Sequence, residues 1–432
     1  MRQHSFFLAL VCLFFSCKVE IDAPNPARPK VEIRKTGNSV SFFRDGQPFR
    51  VKGIAGWSHL EEACEAGANS IRTYTTDNLG ALLDQAHALG MTVMAGIYIG
   101  RAIEGFDYGN AEAVEEQKKW VKQVVEKHKD HPALLCWAAG NEPDNGTRDA
   151  RELWPALNDL IRLIRETDPG HPVTVVIEPG SVKELVRNCP DVDFISINTF
   201  ANLPNFVRSY EEDLPYLITE LGPQGPWEAP KTGWEAPIEP TMEKKMEMLE
   251  TYFQLMEQDS SRCLGSYVFF WGQKQEFTHT WFNFFLDSGE KNSLADLMHR
   301  LWSHAQPRNH APILGRLEVE ELPLWTPPHL HTGKTYTFFI QAFDPEWDPL
   351  RFEWEIVPDG PFHAFIDGRG KVEVKPPALK DLDAKPLNER FVVTLPDRTG
   401  PFRVFVKVTD GQGNGAAANL PVFFVNPSLT GG

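Results

Sequence analysis

The sequence has little positive charge. Its 43 lysines and arginines stand against 59 aspartates and glutamates, which gives a formal net charge of −16 at pH 7. A nucleic acid or an anionic membrane surface requires a basic face on its protein partner. We therefore exclude both as the main partner, and a neutral substrate fits the charge better. With 42% hydrophobic and 24% charged residues, the chain has the composition of a folded globular protein.

Cysteines are few and irregularly spaced. Two of the six, Cys12 and Cys17, lie in or next to an N-terminal apolar stretch, and the other four match no metal-binding spacing. Cys136 falls within an apolar strand pattern and is expected to be a small buried hydrophobe. A disulfide among the remaining cysteines stays open if the compartment is oxidising.

Long hydrophobic runs are also missing, apart from the stretch between residues 6 and 15. This run follows Arg2, is too short to span a bilayer comfortably and has the layout of an export signal. It ends in Phe15-Ser16-Cys17, which resembles a bacterial lipobox. Residues 1–17 are therefore predicted to be a lipoprotein signal peptide, with Cys17 carrying the lipid anchor. A simple cleaved signal and an uncleaved anchor are the alternatives.

Residues 18–30 contain three prolines and few apolar residues, so we interpret them as a linker. A lipid anchor at Cys17 would make the protein an exported, membrane-anchored lipoprotein of the bacterial cell envelope. The folded part would then face the periplasm or the cell surface.

Between residues 31 and 305, short apolar strands alternate with longer amphipathic segments, which is typical of βαβ units. A hairpin with its turn at Asp45-Gly46 comes first. The predicted strands that follow are 51–55, 70–74, 92–98, 134–139, 173–177, 194–198, 216–219 and 267–270. The predicted helices are 79–89, 113–127, 150–166 and 242–258.

Eight strands with intervening helices in this length predict a (β/α)₈ TIM barrel over residues 31–305. An open doubly wound sheet is the competing fold. Such a sheet normally has a glycine-rich phosphate-binding turn after its first strand, and Gly53-Ile54-Ala55-Gly56-Trp57 is not one.

Beyond Pro307 the helical periodicity ends, and strand patterns follow at 335–340, 352–356, 402–408 and 420–425. Residues 306–432 are therefore predicted to form a small all-β, immunoglobulin-like sandwich. Its segments 344–350 and 408–411 resemble cadherin-like modules of bacterial surface proteins. Their acidic residues suit calcium binding, but turn formation explains them equally well, so the sequence alone predicts no metal site.

Two carboxylates directly follow apolar strands of the predicted barrel. The fourth strand leads into Asn141-Glu142-Pro143, and the seventh leads into Thr219-Glu220-Leu221-Gly222. Catalytic groups of TIM barrels come from the C-terminal ends of strands. Glycosidic cleavage needs one acid to protonate the leaving oxygen and one carboxylate to attack the anomeric carbon, about 5 Å apart in a retaining enzyme. The sequence therefore predicts Glu142 and Glu220 as the catalytic pair.

With these two motifs at strands four and seven, residues 40–305 resemble clan A of the glycoside hydrolases. The likeness is greatest to the barrel domain of family two, with some similarity to the β-1,3-glucanosyltransferases of family seventy-two. The resemblance implies retaining hydrolysis of β-linked oligo- or polysaccharides by double displacement, with no cofactor and no metal. It makes Glu142 the acid/base and Glu220 the nucleophile.

The sequence departs from this family pattern in two places. Family-two enzymes usually carry β-sandwich domains ahead of the barrel, and no such pattern precedes residue 40. Many clan members have a tyrosine after the sixth strand, where this chain has Asn198-Thr199-Phe200.

The resemblance also implies roles for residues around the pair. Asn141 would hydrogen-bond the sugar hydroxyl next to the anomeric carbon, and Arg72, at the end of the second strand, would hold Glu220 ionised. Trp271, after the eighth strand, would form the floor of the sugar subsite, and Tyr98, at the end of the third, is assigned to substrate binding. A structural ion pair for Arg72 and barrel packing for Trp271 are the alternatives.

The segment from Leu221 to Pro240, here called the proline-rich loop, contains five prolines and two tryptophans. Structureless loops of this length in compact domains are usually functional. We expect this loop to form a wall of the substrate cleft and to offer Trp227 as a platform for a sugar ring. The alternative is a surface cover packed on the barrel.

Three functions stay open at this point: a retaining glycoside hydrolase, a β-glucan transglycosylase, and an inactive surface glycan-binding protein. Glu178 and Glu276 follow the fifth and eighth strands and compete as rim carboxylates, although an isolated rim glutamate is more often a salt-bridge partner. Asn141 and Glu142 would also suit a helix start.

Overall fold

The computed structural model describes residues 31–147, 150–323, 327–366 and 370–426. The predicted signal peptide, linker and lipid anchor at Cys17 lie outside these ranges. Within them, no helix is both long and apolar enough to pass through a membrane. The four cysteines in these ranges are unpaired, and all but Cys64 are buried, as expected for Cys136.

A three-stranded antiparallel sheet precedes the barrel, formed by β1 (Val31–Thr36), β2 (Ser39–Arg44) and β3 (Gln47–Phe49). Its second turn uses Asp45 and Gly46, both with positive φ, as a two-residue hairpin requires. Phe42 is fully buried and packs edge-on against Phe194, which directly precedes the sixth barrel strand. The sheet therefore covers the N-terminal end of the barrel, opposite the strand ends that carry catalytic groups in this fold.

Eight parallel strands close into a barrel, with the last strand pairing back onto the first. The predicted TIM barrel is therefore confirmed. The strands are β4 Val51–Ala55, β5 Ser70–Arg72, β6 Thr92–Ile97, β7 Leu134–Asn141, β8 Val173–Ile177, β9 Ile195–Thr199, β10 Tyr216–Leu221 and β11 Cys263–Val268.

The eighth barrel strand, β11, starts earlier than the predicted 267–270. Gly265 and Ser266 interrupt its apolar pattern, which hid the strand in the sequence. A Cβ atom at Gly265 would lie 2.2 Å from the carbonyl oxygen of Val51, so the close approach of β4 requires glycine there.

Eight α-helices accompany the barrel within the described ranges. The four long predicted helices are present, with ends shifted by a few residues at most. Three of the others have seven residues each, too few for a periodic pattern to stand out. The helices are α1 Leu60–Ala66, α2 Leu79–Ala88, α3 Ala111–His128, α4 Leu153–Thr167, α5 Val182–Asn188, α6 Leu203–Ser209, α7 Met242–Gln258 and α8 Ser293–Ser303.

The C-terminal region is all β, and two of its sheets pack face to face around a common apolar core. The first has the order β13-β15-β21-β20 and the second the order β14-β23-β22-β17, which confirms the predicted β-sandwich. The strands are β12 Ile313–Leu314, β13 Glu318–Val319, β14 His329–His331, β15 Thr335–Phe339, β16 Ala342–Phe343, β17 Arg351–Pro358, β18 His363–Ile366, β19 Gly370–Glu373, β20 Asp383–Leu387, β21 Arg390–Thr394, β22 Gly400–Thr409 and β23 Gly415–Val425.

The sandwich contacts the barrel domain through the proline-rich loop. Arg403 is almost fully buried, and its Nε donates to Asp359 within the sandwich at 2.8 Å. The same guanidinium donates through Nη2 to the carbonyl oxygen of Pro237 in the loop, also at 2.8 Å. Trp234 packs against His329 and Phe423 of the sandwich, at centroid distances of 5.2 and 5.5 Å. The second half of the loop is thus held by the sandwich.

Candidate active site

A cleft of about 1050 Å³ lies at the C-terminal ends of the barrel strands. Several strands contribute to its walls, as is usual for the active sites of this fold. Both predicted catalytic glutamates line it. The residues used in the argument below are Trp57, Tyr74, Asn141, Glu142, Asn198, Glu220 and Trp227.

Both strands that carry these glutamates have an irregular register just before the carboxylate. From Ile218 to Glu220, β10 advances by two residues while its neighbour β9 advances by one. From Ala138 to Asn141, β7 advances by three residues while β8 advances by two. An extra residue of this kind re-aims the following side chain and is common next to active sites. It breaks the simple alternation that a sequence pattern assumes.

Glu220 is 7% exposed and forms a buried ion pair. The Nη1 of Arg72 donates to its Oε1 at 2.9 Å and to the carbonyl oxygen of Thr219 at 2.8 Å. Burial raises the pKa of the Glu220 carboxyl above its ordinary value; the nearby Glu142 adds to this rise, while Arg72 opposes it. Arg72 therefore favours the ionised form of Glu220 but does not outweigh burial. Glu220 is ionised once the pH exceeds its raised pKa.

Glu142 follows β7 in a strained backbone conformation, with φ of 48°. Its amide N–H donates to the carbonyl oxygen of Val176 at 2.8 Å, which fixes the turn against the next strand. Its Oε1 accepts from Nδ2 of Asn198 at 2.6 Å, and its Oε2 accepts from Nδ2 of Asn145 at 3.2 Å. Positive φ at a non-glycine residue persists only where the surroundings enforce it, and such residues cluster at functional sites.

A chain of hydrogen bonds joins the two carboxylates. Nη2 of Arg72 donates to Oδ1 of Asn141 at 2.5 Å, and Nδ2 of Asn198 donates to the same oxygen at 3.0 Å. Because Asn198 also donates to Glu142, the path runs from Glu220 through Arg72, Asn141 and Asn198 to Glu142. Arg72 and Asn198 both donate to the side-chain oxygen of Asn141. The NH₂ group of Asn141 is therefore available to a ligand.

In the sequence, Asn198 stands out only as a departure from the family pattern, and it is not predicted as a site residue. Its position at the end of the sixth barrel strand was the available signal. Its Oδ1 accepts from the hydroxyl of Thr219 at 3.0 Å, so the orientation of its amide is set on both sides.

Tyr74 is a second site residue that the sequence did not single out. It lies just after β5, with its ring 4.3 Å from Cζ of Arg72 and its hydroxyl accepting from Nη1 of Arg72 at 3.2 Å. Burial raises the pKa of Tyr74 well above its ordinary value. The hydroxyl therefore stays protonated at neutral pH and can donate a hydrogen bond. A tyrosine thus reaches this cleft from the second strand.

Two tryptophans line the cleft with exposed rings. Trp227 of the proline-rich loop and Trp57 after β4 are each 58% exposed. Trp227 packs edge-on against Phe200 with a centroid distance of 5.2 Å, and Trp57 packs edge-on against Phe270 at 6.4 Å. Trp227 also contacts Phe282 at 5.9 Å. More than half of each tryptophan stays exposed, which suits contact with the apolar face of a sugar.

The predicted subsite floor requires a correction. Trp271 is 1% exposed, belongs to the apolar layer between strands and helices, and does not line the cleft. Its Nε1 donates to the carbonyl oxygen of His59 at 3.1 Å. The chain leaves β11 at Val268, so Phe269 and Phe270 face the cleft while Trp271 points into the helix layer. Barrel packing was therefore the correct alternative for Trp271.

Tyr98 also lies outside the cleft lining, contrary to its assignment to substrate binding. The strand β6 ends at Ile97, one residue earlier than predicted. The side chain of Tyr98 is 46% exposed, and its hydroxyl donates to Glu104 in the short 3₁₀ helix Ala102–Glu104. This local hydrogen bond accounts for its position.

Three further carboxylates line the cleft. Glu276 pairs with Lys274, and Glu228 accepts from the backbone amides of Ala201 and Gly225, so both have structural partners. Glu178 has no partner among the side chains that the structure describes. Burial raises the pKa of Glu178, and Glu142 adds to the rise. The cleft is therefore rich in negative charge beyond the central pair.

Residues 66–230 match the family model of the glycosyl hydrolases family 2, TIM barrel domain. This segment contains the barrel strands from β5 to β10, with both Glu142 and Glu220. The predicted resemblance to a family-two catalytic barrel is therefore confirmed.

Two curated relatives carry more particular names. The chain is 27% identical to the beta-glucuronidase of Chlorocebus aethiops over 135 residues, which cover 31% of this chain and 20% of that protein. It is 26% identical to the beta-glucuronidase of Sus scrofa over 215 residues, covering 43% of this chain and 31% of that protein. The chain thus spans less than a third of the length of these relatives.

Solved structures resemble the whole fold more broadly. A beta-glucuronidase from Bacteroides uniformis has a TM-score of 0.50 at 16% identity, covering 92% of this chain and 48% of that chain. A beta-glucuronidase from Ruminococcus gnavus also has a TM-score of 0.50, at 18% identity, covering 64% of this chain and 53% of that chain. At these identities the likeness concerns the fold alone.

Proposed function

We propose that the protein is a retaining glycoside hydrolase that cleaves β-linked oligo- or polysaccharides by double displacement. The observation that carries the proposal is that Glu142 and Glu220 leave two different barrel strands, line one cleft and are joined by one hydrogen-bonded chain. The match to the family 2 barrel and the names of the relatives support the reaction class. Export and lipid anchoring at the cell envelope belong to the same proposal.

In the first step, the carboxylate of Glu220 attacks the anomeric carbon and forms a glycosyl ester. The glycosidic C–O bond breaks, and Glu142 gives its proton to the leaving oxygen. We assign this role to Glu142 because its two oxygens accept from the neutral amides of Asn198 and Asn145, whereas Glu220 contacts the guanidinium of Arg72. Glu220 suits the attacking role because Arg72 favours its ionised form.

In the second step, Glu142 takes a proton from water while the water oxygen attacks the anomeric carbon. The ester bond to Glu220 breaks, and the carboxylate returns to its ion pair with Arg72. The free NH₂ group of Asn141 is the donor that we assign to the sugar hydroxyl next to the anomeric carbon.

The proposed substrate is a neutral glycan with several sugar units. The cleft is large for one sugar, and Trp57 and Trp227 offer two separate ring platforms. Its surplus of carboxylates, with Glu178 near Glu142 and without a partner among the described side chains, would repel an acidic sugar. A panel of aryl β-glycosides tests this, with higher kcat/KM expected for neutral sugars than for the glucuronide.

Azide rescue tests the two roles separately. In Glu142→Ala and Glu220→Ala, azide takes the place of the missing carboxylate. It attacks the anomeric carbon from the side opposite to the remaining glutamate. Glu142→Ala should form a β-glycosyl azide, because azide attacks the ester on Glu220 from the opposite side. Glu220→Ala should form the α-glycosyl azide.

Glu166→Ala is the matched control, because Glu166 is exposed on α4 and does not line the cleft. It should show normal turnover and no azide product. The same anomer from both cleft variants, or full activity without azide in either, would reject the assignment.

A further inference from the structure

A cluster of three aspartates lies in the sandwich, away from the cleft. Asp344, Asp348 and Asp410 each bring one carboxylate oxygen to within 4.8 Å of the other two. In the ranges that the structure describes, no other group of three or more histidine, cysteine or acidic side chains is arranged in this way. Asp344 and Asp410 are only 4% and 3% exposed. Buried carboxylates at this spacing repel one another unless a cation or protons compensate their charge.

The backbone amides of the turns account for one carboxylate oxygen of Asp344 and one of Asp410. Oδ1 of Asp344 accepts from the backbone amides of Glu346 and Asp348, at 3.0 and 2.9 Å. Oδ1 of Asp410 likewise accepts from the amides of Gln412 and Asn414, at 2.7 and 3.0 Å. The backbone amides of the two turns therefore use one oxygen of each of these two aspartates. The second oxygen of Asp410 accepts from the side chain of Asn414 in the same turn, which leaves the second oxygen of Asp344.

Among the described residues, the second oxygen of Asp344 has no hydrogen-bond partner. It is buried, and no described donor reaches it. A buried carboxylate oxygen without a donor is costly, because the charged group loses its water and gains nothing in return. In a cluster of three carboxylates, a bound cation supplies the missing interaction.

Two side-chain amides contact the carboxylates of the cluster. Nδ2 of Asn309 donates to Oδ2 of Asp348 at 2.8 Å, and Nδ2 of Asn414 donates to Oδ2 of Asp410 at 2.6 Å. Nδ2 of Asn414 also donates to the side-chain oxygen of Asn309, so both amides belong to one network with the carboxylates. An all-oxygen set with three carboxylates suits a hard divalent cation, and irregular geometry built from protein groups favours Ca²⁺ over Mg²⁺.

We propose that Asp344, Asp348 and Asp410 bind one calcium ion that ties the sandwich to the barrel domain. The sequence left calcium binding and turn formation as equal alternatives. The structure separates them, because the turns leave the buried Oδ2 of Asp344 unused.

The position of the cluster gives the ion its role. Asn309 belongs to the segment between α8 and β12, so the site includes the connection between the two domains. The turn after Asp410 pairs with the barrel domain, because the amide of Lys291 donates to Gly413 and the amide of Gly415 donates to Lys291. The amide of Ala311 also donates to Asp296 in α8, at 2.7 Å. Calcium would cross-link two sandwich turns and the connecting segment at this junction.

Thermal unfolding of the chelator-treated protein provides the first test. Added Ca²⁺ should raise Tm by about 5–10 °C at roughly 100 times its dissociation constant, and Mg²⁺ at the same concentration should raise it less. Titration calorimetry should give one Ca²⁺ per chain. No Tm response to Ca²⁺, or an equal response to Mg²⁺, would overturn the proposal.

Two substitutions locate the site. Asp348→Asn changes the most accessible of the three aspartates and should weaken Ca²⁺ binding at least tenfold; Asp344→Asn should do the same if it folds. Asp381→Asn is the matched control, because Asp381 is exposed in the same sandwich and has positive φ, which asparagine tolerates. An unchanged Ca²⁺ response in Asp348→Asn would contradict the assignment.

Trp347 allows a spectroscopic test at the site itself. It lies between Asp344 and Asp348 in sequence and is 81% exposed. Tb³⁺ bound at the cluster should therefore show luminescence when tryptophan is excited, and Ca²⁺ should displace it. Trp347→Phe should remove most of this luminescence and keep the Tm response to Ca²⁺. Sensitised emission that persists in Trp347→Phe would mean that Tb³⁺ binds elsewhere.

Discussion

Two buried glutamates, Glu220 at the cleft and Glu239 at the domain junction, have similar surroundings but opposite pKa shifts. Each forms an ion pair with a buried cation: Arg72 at 2.9 Å from Glu220, and Lys245 at 2.6 Å from Glu239. The pKa of Glu220 is raised, whereas that of Glu239 is lowered. The difference distinguishes a carboxylate available for chemistry from one committed to structure.

The number of donors explains the contrast. Burial alone would raise the pKa of Glu239, but Lys245 and the hydroxyl of Thr278 outweigh it. Oε2 of Glu239 accepts from Thr278 at 2.7 Å, from Thr280 at 2.9 Å and from Asn419 of the sandwich at 2.7 Å. Its carboxylate is saturated. Glu220 has one charged donor, a second carboxylate nearby and an open cleft in front of it.

The comparison predicts its largest effect for Glu220→Gln. Glutamine keeps the size of the side chain but cannot attack the anomeric carbon, so kcat should fall by about 10⁴-fold or more. Tm should change less than in Glu239→Gln, because Arg72 keeps its hydrogen bonds to the Thr219 carbonyl and to Asn141, and the substitution also removes the repulsion from Glu142. Steady-state kinetics and a thermal melt measure both quantities. A large loss of Tm with a modest loss of kcat would mean that Glu220, like Glu239, has a structural role, and would contradict the comparison.

Glu239→Gln should show the opposite pattern. It leaves the ammonium of Lys245, which is 2% exposed, without its charged partner, and should cost about 3 kcal/mol of stability. Denaturant unfolding gives this value. Replacing Lys245 with methionine in the same chain should recover part of the loss, because the unpaired charge is then gone. A double variant less stable than Glu239→Gln would contradict this explanation.

The lowered pKa of Glu239 also sets a pH dependence. Its contribution to stability is complete above the pKa of an unfolded glutamate and is lost as the pH falls through the lower folded pKa. The stability difference between the native protein and Glu239→Gln should therefore narrow in acid. Unfolding at a series of pH values measures it, and a constant difference would mean that the ion pair does not carry the effect.

A third effect concerns the acidic limb of the pH profile. Because the pKa of Glu220 is raised, kcat/KM should fall as the pH drops through a value above the ordinary 4.5. Arg72→Lys should move this limb to higher pH, since one ammonium cannot contact both Glu220 and Asn141 as the guanidinium does. A limb that moves to lower pH in Arg72→Lys would contradict the assigned role of Arg72.

The smallest effects should separate the two tryptophans of the proline-rich loop. Trp227→Ala removes an exposed cleft ring and should raise KM for an oligosaccharide by about tenfold, with little change in Tm. Trp234→Ala removes contacts to His329 and Phe423 and should lower Tm while KM stays within about twofold. If Trp227→Ala left oligosaccharide affinity unchanged, its role as a platform would be lost.

The barrel and the central glutamates were predictable because they depend on local signals. Apolar strands alternated with amphipathic helices, and Glu142 and Glu220 came directly after two of those strands. Even so, irregular register before each glutamate decides how its side chain is aimed, and no residue pattern revealed it.

The surrounding residues were harder to predict because their roles depend on small shifts at strand ends. The strand β11 ends at Val268, and the positions just after it differ in direction. Phe269 and Phe270 face the cleft, whereas Trp271 packs in the helix layer. Asn198 gained its role from Asn141 on another strand, and Asp344 meets Asp410 across 65 intervening residues. Such contacts exist only once the register of the fold is set.

The stereochemistry of the first product tests the central claim most directly. Proton NMR, recorded as an aryl β-glycoside is cleaved, identifies the anomer released before mutarotation. Two successive displacements at the anomeric carbon, first by Glu220 and then by water, predict the β-anomer first, with the α-anomer growing in later. An α-anomer at the earliest time points would mean single displacement and would contradict a covalent role for Glu220.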